Sequence, residues 1–260
     1  MDLGLRGRRA VVCGASSGIS RAAAHRLAAE GAIVTLVART EDKLATAASE
    51  IAADTGAEVD YVAVDLATRD GRARLLEERP VVDILVANAG VPQRFASFQT
   101  LTKEDWDYWF ESHFFSALDL IYGYAPGMMA RKFGRIVNVS VNFIKFPQVN
   151  AGHSHAARLA LAGAIAALVR ELAPHNVTIN SVLPGLIDTP ALRRALQERA
   201  AARAVPYEDI VAEVCQRTAA ARLCSAEEAG DLIAMFCAAQ MGYVTGQNII
   251  NDGGAFQGLF

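Results

Sequence analysis

The sequence predicts one α/β domain, a parallel sheet doubly wound by helices on both faces, and three observations predict it. Short β-branched runs alternate with helical patterns along the chain. The runs are near-continuously apolar, as strands covered on both faces are. The first run leads into a glycine turn, Gly14-Ala15-Ser16-Ser17-Gly18-Ile19-Ser20, that opens a helix.

Taken in order, Arg9-Ala10-Val11-Val12-Cys13 reads as the first strand, and Ser20 to Glu30 as a helix stopped by Gly31. Ile33 to Ala38 is a second strand, Glu41 to Thr55 a helix ended near Gly56, and Val59 to Val64 a third strand. Val82 to Ala87 gives a fourth, followed by the turn Asn88-Ala89-Gly90. Arg135 to Val139 and Val177 to Val182 are strands separated by a helix from about Ser154 to Ala173, and Gln247 to Ile250 closes the series. No repeat, low-complexity tract or Pro/Gly/Ser-rich linker divides the chain, so residues 1–260 are expected to form a single domain. Within it, Leu186-Ile187-Asp188-Thr189-Pro190 leads into an Ala/Arg-rich helix, then Pro206-Tyr207 and a second helix. This pair, at about 186–222, is long enough to serve as a lid over an apolar pocket.

Composition narrows the partners. With 52% hydrophobic and 20% charged residues the chain can bury a large core. A net charge of -3 without Lys/Arg clusters argues against nucleic acid or a membrane surface and leaves a small molecule as the expected ligand. The four cysteines, Cys13, Cys215, Cys224 and Cys237, show no C-x-x-C spacing, and Cys13 and Cys237 lie in apolar runs typical of buried thiols. That usage fits a reducing cytoplasm, as does an N-terminus without the apolar core of a secretory signal. The longest apolar stretch, Leu159 to Val169, is too short and too rich in Ala and Gly to span a bilayer. No metal site is expected.

The glycine turn carries the first functional signal. Glycine lets the backbone approach a pyrophosphate, whose charge the free N–H groups of a helix start favour. Gly14 and Gly18 take the first two structural positions, and Ser20 stands at the third. Arg39 follows the second strand, where a carboxylate would bind the ribose hydroxyls of NAD; an arginine there suits a 2′-phosphate and favours NADP(H) over NAD(H). A solvated surface arginine is the plainer reading. Asp65, after the third strand, either accepts from the adenine amino group or caps the next helix.

These pieces together resemble the short-chain dehydrogenase/reductase family over essentially the whole chain. The resemblance rests on the Gly14 to Ser20 turn, Asp65-Leu66, Asn88-Ala89-Gly90, Gly134 to Ser140, Asn180 to Gly185, Thr245-Gly246-Gln247 and Asp252-Gly253-Gly254. It implies a Rossmann-type domain. It further implies that Ser16, Ser17 and Ile19 line the cofactor turn, that Asp65 and Leu66 border the adenine, and that Asn88, Ala89 and Gly90 line the cofactor beside the sheet. The backbone after Pro184, at Gly185, would meet the nicotinamide amide, with Thr189 near the carboxamide or phosphate. Asn180 and Pro184 equally suit a purely structural turn.

The family reduces carbonyls with a Ser-Tyr-Lys set and an Asn from a neighbouring helix, and here the chain departs from it. No tyrosine lies between Tyr124 and Tyr207, and no lysine follows Lys145. Laid on the sequence through Gly163, Arg170, Glu171 and Leu172, the frame puts Ser154 at the tyrosine position and Arg158 at the lysine position. Val141 falls at the serine position, beside Ser140, and His113 at the asparagine position. A serine hydroxyl is shorter than a phenol and a far poorer acid. Arg158 can still bind ribose hydroxyls, but its guanidinium stays charged and cannot relay a proton. Histidine, with its pKa near neutrality, is the natural substitute, and His113, His153 and His155 lie in or beside the frame. The candidate catalytic residues are therefore His113, Ser140, Ser154 and Arg158.

Phe143, Ile144, Phe146 and Pro147 are expected either to wall the substrate pocket or to belong to the core, and Arg193 and Arg194 either meet an anionic substrate or form a solvated helix face. The expected function is NADP(H)-dependent oxidoreduction of a small carbonyl, imine or conjugated substrate with a non-standard proton donor. Two other readings use the same scaffold: a non-redox isomerase, lyase or cyclase, and a catalytically inactive nucleotide-binding protein. A homodimer or homotetramer is expected, because the helix from Arg158 to Ala173 and the segment Tyr243 to Phe260 resemble the surfaces this family uses; the small residues Ala160, Ala162, Gly163, Ala166 and Ala167 either allow close helix approach or face the sheet, and the apolar tail, Ala255 to Phe260, is expected to be buried against another subunit.

Overall fold

The strand residues pair into one parallel sheet of seven strands in the order β3-β2-β1-β4-β5-β6-β7. The computed structural model describes residues 2–88 and 95–259. The strands are β1 (Arg9–Cys13), β2 (Ile33–Ala38), β3 (Val59–Ala63), β4 (Ile84–Ala87), β5 (Gly134–Val139), β6 (Val177–Pro184) and β7 (Asn248–Asn251). All seven match a strand read from the sequence, and β6 runs two residues farther, to Pro184.

Adjacent strand residues point to opposite faces, so Val11 and Val12 enter different cores. On one face the strands carry α1 (Gly18–Ala29), α2 (Glu41–Thr55) and α9 (Ala226–Cys237), packed through Leu27, Leu44, Ile51 and Ile233. On the other lie α3 (Arg69–Glu78), α5 (Ser116–Ala130) and α6 (Gly152–Leu172), packed through Leu75, Ile121, Leu161 and Ile165. Cys13 and Cys237 are fully buried in these cores, and all four cysteines are free thiols. No helix among the described residues is long and apolar enough to cross a membrane.

The helices not read from sequence are α3, α9 and a helical rod in which α4 (Lys103–Phe110) runs through a π-helical turn, Glu111–Phe115, into α5. Such a turn holds one extra residue and is invisible to a 3.6-residue periodicity. The pair after Pro184 is present as α7 (Pro190–Arg203) and α8 (Tyr207–Cys215), which share a small core of Leu196, Ala200, Ile210 and Val214 apart from the two sheet cores.

Candidate functional site

The strand order reverses between β1 and β4, the switch point beyond whose carboxyl ends open α/β sheets form a ligand crevice. The glycine turn lies there. Gly14 and Gly18 both adopt left-handed backbone, φ +68° and +64°, a region closed to most side chains. A Cβ on Gly14 would lie 3.3 Å from the Asn88 carbonyl, and one on Gly18 would lie 3.1 Å from Thr189 Cγ2. The turn thus draws together Asn88 and Thr189, distant in sequence. Ser17, the residue before α1, is extended and makes no side-chain cap, which leaves the first N–H groups of α1 for a ligand. Ser20, at the third glycine position, is buried, and its Oγ accepts a 2.9 Å hydrogen bond from Asn88 Nδ2. Ile19 packs against the core beneath.

Arg39 is exposed at the end of β2 and makes no hydrogen bond or ion pair with the described residues. The α2 start just beyond it supplies a second cation that the sequence reading did not single out: Lys43 lines, with Ser16 and Arg21, a cleft of about 280 Å³. Asp65 is exposed, and its Oδ1 accepts from the Ala67 N–H at 3.0 Å, whereas the side-chain cap of α3 is Thr68. Of the two sequence readings of Asp65, helix capping is therefore not its role. Leu66 is buried, and its carbonyl accepts from Arg72 Nη1. Ala89 and Gly90 lie outside the described residues. Past the end of β6, Gly185 donates its N–H to the Asn251 carbonyl at 2.9 Å, and a Cβ on it would meet Asp252 Cβ at 2.6 Å. Thr189 caps α7, accepting from the Leu192 N–H at 3.2 Å.

The four catalytic candidates come from three elements, of which α6 and the π-helical turn pack against each other. Ser154 and Arg158 are four residues apart on α6, so they share a face, and Arg158 Nε donates to Ser154 Oγ at 3.4 Å. Ser140 is buried at the end of β5 with no partner for its Oγ among the described residues. His113 sits in the π-helical turn, 4% exposed, stacked on Trp109 at 4.8 Å, and the other side of this aromatic cluster is His153, 4.8 Å from Trp109. Burial, the Arg158 charge and His153 hold His113 far below the usual histidine range, at about 2. His155 is pushed down by burial, and then by Arg158 and His153. Arg158 is half-buried, and burial lowers its own pKa to about 10, which still leaves it charged at neutral pH. No carboxylate pairs with it among the described residues. Arg193, by contrast, forms a two-pronged pair with Asp188 at 2.6 and 2.8 Å on the exposed side of α7, which makes a surface residue of it.

The His113 environment has a testable consequence. Its folded pKa lies below the unfolded one, so the unfolded chain takes the proton more readily. The histidine costs nothing above about pH 6.5 and costs stability progressively as pH falls below that value, by about 1.4 kcal/mol per pH unit. Urea unfolding at pH 7.5 and 5.5 is expected to show this loss, and His113→Phe to reduce it; equal acid sensitivity in the two proteins would mean that the ring is not held neutral.

Sequence reading missed Asn142 and Phe256. Asn142 Nδ2 donates to Asp252 Oδ2 at 3.3 Å, while Asp252 also accepts from the N–H groups of Gly254, Ala255 and Phe256. This buried carboxylate folds the tail back so that Phe256 stacks on Phe146 at 5.8 Å. The expected burial of the tail against another subunit is thus corrected for Phe256, which packs within its own chain; Leu259 remains 92% exposed.

A switch-point crevice with a glycine turn, a bare helix start and a polar cluster over the sheet edge defines a dinucleotide-binding α/β protein of the oxidoreductase type. The comparisons narrow the class. Residues 8–200 match the short chain dehydrogenase family, and the chain belongs to it. It is 30% identical over 263 residues to the 3-oxoacyl-[acyl-carrier-protein] reductase FabG of Aquifex aeolicus, covering 98% of this chain and 100% of that one. The crystal structure of L-sorbose reductase from Gluconobacter frateurii, complexed with NADPH and L-sorbose, superimposes with a TM-score of 0.95 at 31% identity over 100% of both chains. An NADP-bound 3-oxoacyl (acyl-carrier-protein) reductase from Agrobacterium tumefaciens gives 0.88 at 30% identity, over 97% of this chain and 96% of that one.

Proposed function

We propose that the protein is an NADP(H)-dependent reductase that acts on a small carbonyl, imine or conjugated substrate without a phenolic proton donor. The observation that carries this reading is the cradle at the β1–β4 crevice, where two left-handed glycines hold a turn against Asn88 and Thr189 below an uncapped helix start. Reductases that bind NADPH or NADP and share this fold over nearly their whole length support it. Fluorescence titration with NADPH and with NADH tests it directly; no affinity for either would remove the reading.

When bound, NADPH supplies a hydride to an electrophilic carbon of the substrate. The chain's own residues bind and polarise. By the family resemblance, the N–H groups of Ser16 to Ile19 would hold the pyrophosphate, Asn88, Ala89 and Gly90 would line the cofactor beside the sheet, and Pro184, Gly185 and Thr189 would border its nicotinamide end. Asp65 and Leu66 border the adenine. Arg158 has five N–H donors, of which Nε is used by Ser154, so its outer nitrogens remain for ribose hydroxyls and for a substrate oxygen. Ser140 Oγ donates to that same oxygen. His113, kept neutral, donates a hydrogen bond and orders water rather than acting as a charged acid. The helices α7 and α8 close over the substrate as a lid, consistent with their separate core.

Selectivity for the phosphorylated coenzyme is assigned to Arg39, with Lys43 beside it. Arg39→Asp is expected to weaken NADPH binding tenfold to a hundredfold, about 1.4–2.7 kcal/mol, and to leave NADH affinity unchanged or improved. Equal losses for both coenzymes would contradict the assignment. Self-association as a homodimer or homotetramer is assigned to α6, whose Gly163, Ala166 and Ala167 are exposed while Leu161 and Ile165 face the core. Sedimentation velocity is expected to show a species larger than 27.7 kDa, and Ala166→Arg to shift it toward the monomer. A non-redox reaction on the same scaffold is the second reading, favoured by the Arg158 charge, which has no carboxylate partner among the described residues, beside the neutral His113 and His155. Product formed without change in nicotinamide absorbance would identify it.

A further inference from the structure

We propose that the substrate is a flat, aryl-conjugated enone whose oxygen is held by Arg158 and whose ring lies along Phe143, Phe146 and Phe256, so that reduction falls on the carbon–carbon double bond. The proposal rests on the reductase reading above and adds the substrate class.

The first argument concerns the proton. Reduction of an isolated carbonyl generates an alkoxide, a strong base that must gain a proton as the hydride arrives. Around Ser154 and Arg158 the described residues place an alcohol, a guanidinium that is charged at neutral pH, two histidines, His113 and His155, that burial keeps neutral, and His153, fully buried against Trp109. The alcohol, the guanidinium and the two neutral histidines donate hydrogen bonds and hold charge, but none is a ready acid. An enolate asks for no more. It spreads its negative charge over oxygen and carbon, so N–H donors from a fixed cation stabilise it without proton transfer. Hydride adds to the β-carbon, the alkene π pair moves to the bond between the α-carbon and the carbonyl carbon, and the carbonyl π pair moves to oxygen beside Arg158. The α-carbon then takes a proton from water. In sum, one NADPH, one proton and one double bond give NADP+ and the saturated ketone.

The second argument concerns shape. The short helical turn Asn142–Ile144 after β5 sets the Phe143 ring 6.2 Å from His155, the neighbour of Ser154 on α6. Phe146 meets Phe143 edge-on at 5.7 Å, and Phe256 stacks on Phe146 with 15° between the rings. All three are only partly buried, which leaves ring surface for a ligand. The buried Asp252 fixes both ends of this wall, accepting from Asn142 on one side and from the Phe256 N–H on the other. Asn142 Oδ1, Ser140 Oγ and His155 Nε2 are buried without partners among the described residues, polar atoms beside an otherwise aromatic surface.

The test uses the full chain and begins with an NADPH titration, because absence of coenzyme affinity would sink the reductase reading and not this one alone. With binding established, NADPH deuterated at its transferable position is mixed with benzylideneacetone, and separately with its saturated counterpart benzylacetone. The expected result is benzylacetone labelled at the aryl-bearing carbon, with no alcohol from either ketone. Calorimetry on the NADP+ complex is expected to show benzylideneacetone binding at least tenfold weaker in Phe146→Ala, with unchanged coenzyme affinity. An allylic alcohol labelled at the carbinol carbon overturns the proposal. So does an NADPH-loaded protein that leaves the aryl enone unchanged, or equal enone affinity in the Phe146 variant.

Discussion

Gly18→Val is expected to weaken NADPH binding more than a hundredfold, at least about 2.7 kcal/mol, while the protein still folds. Gly18 has φ +64°, and a Cβ there would already stand 3.1 Å from Thr189 Cγ2. A β-branched residue is a genuine outlier at positive φ, so the turn must change its backbone angles rather than merely shift a neighbour. Changing them turns the N–H groups ahead of α1 away from the crevice, and on the proposed function it is their aim that holds the pyrophosphate. The strands and both sheet cores do not depend on this turn, so circular dichroism and the melting temperature should change little. Gly18→Ala, which lacks the β-branch, should fall between the two. Full NADPH affinity in the valine variant would show that the turn is not the phosphate cradle.

Arg135→Met is expected to destabilise the fold by about 3–5 kcal/mol without touching the crevice. Arg135 is 1% exposed in β5. Its guanidinium donates to the carbonyls of Gly134, Asn176, Ala238 and Ala239 at 2.8 to 3.0 Å and lies over the Phe133 ring. It therefore fastens the end of α9 and the turn before β6 to the start of β5. Methionine fills much of the volume but donates nothing, and carbonyls left dry and unpaired cost about 1–3 kcal/mol each. For a chain of this size that loss lowers the melting temperature by roughly 10 °C. Arg135→Lys should recover only part, since an ammonium cannot reproduce the planar fork. Coenzyme affinity of the folded fraction should be unchanged. A methionine variant as stable as the parent would show that these carbonyls find water instead.

The largest share of the fold was legible because strands buried on both faces leave a nearly pure apolar signal, plainest in β1, β2 and β4, while the edge strands β3 and β7 are shorter on apolar residues and only partly buried. Helices whose signal is diluted were not legible. The rod from Lys103 to Ala130 contains an extra residue at Glu111–Phe115 that breaks the periodicity, and α3 is mostly polar. In the site, Gly14 and Gly18 could be read from the spacing of a local turn, and Ser154 with Arg158 from the family frame laid along one helix, where an i,i+4 pair shares a face. Lys43, Asn142 and Phe256 could not, because each owes its place to contacts across more than a hundred residues or across a cleft between elements. The histidine at position 113 shows both limits at once. Its position followed from the sequence frame, but its protonation follows from burial against Trp109 and from the charge of Arg158.

By itself the sequence determined the parallel doubly wound sheet, the glycine turn at its first strand and a central helix without a tyrosine, since each is written in neighbouring residues. Only the tertiary structure decided that the histidine is neutral, that the arginine stands without a carboxylate among the described residues and that the tail closes an aromatic wall. Charge state and shape depend on what surrounds a group in space, and desolvation has no counterpart along the chain.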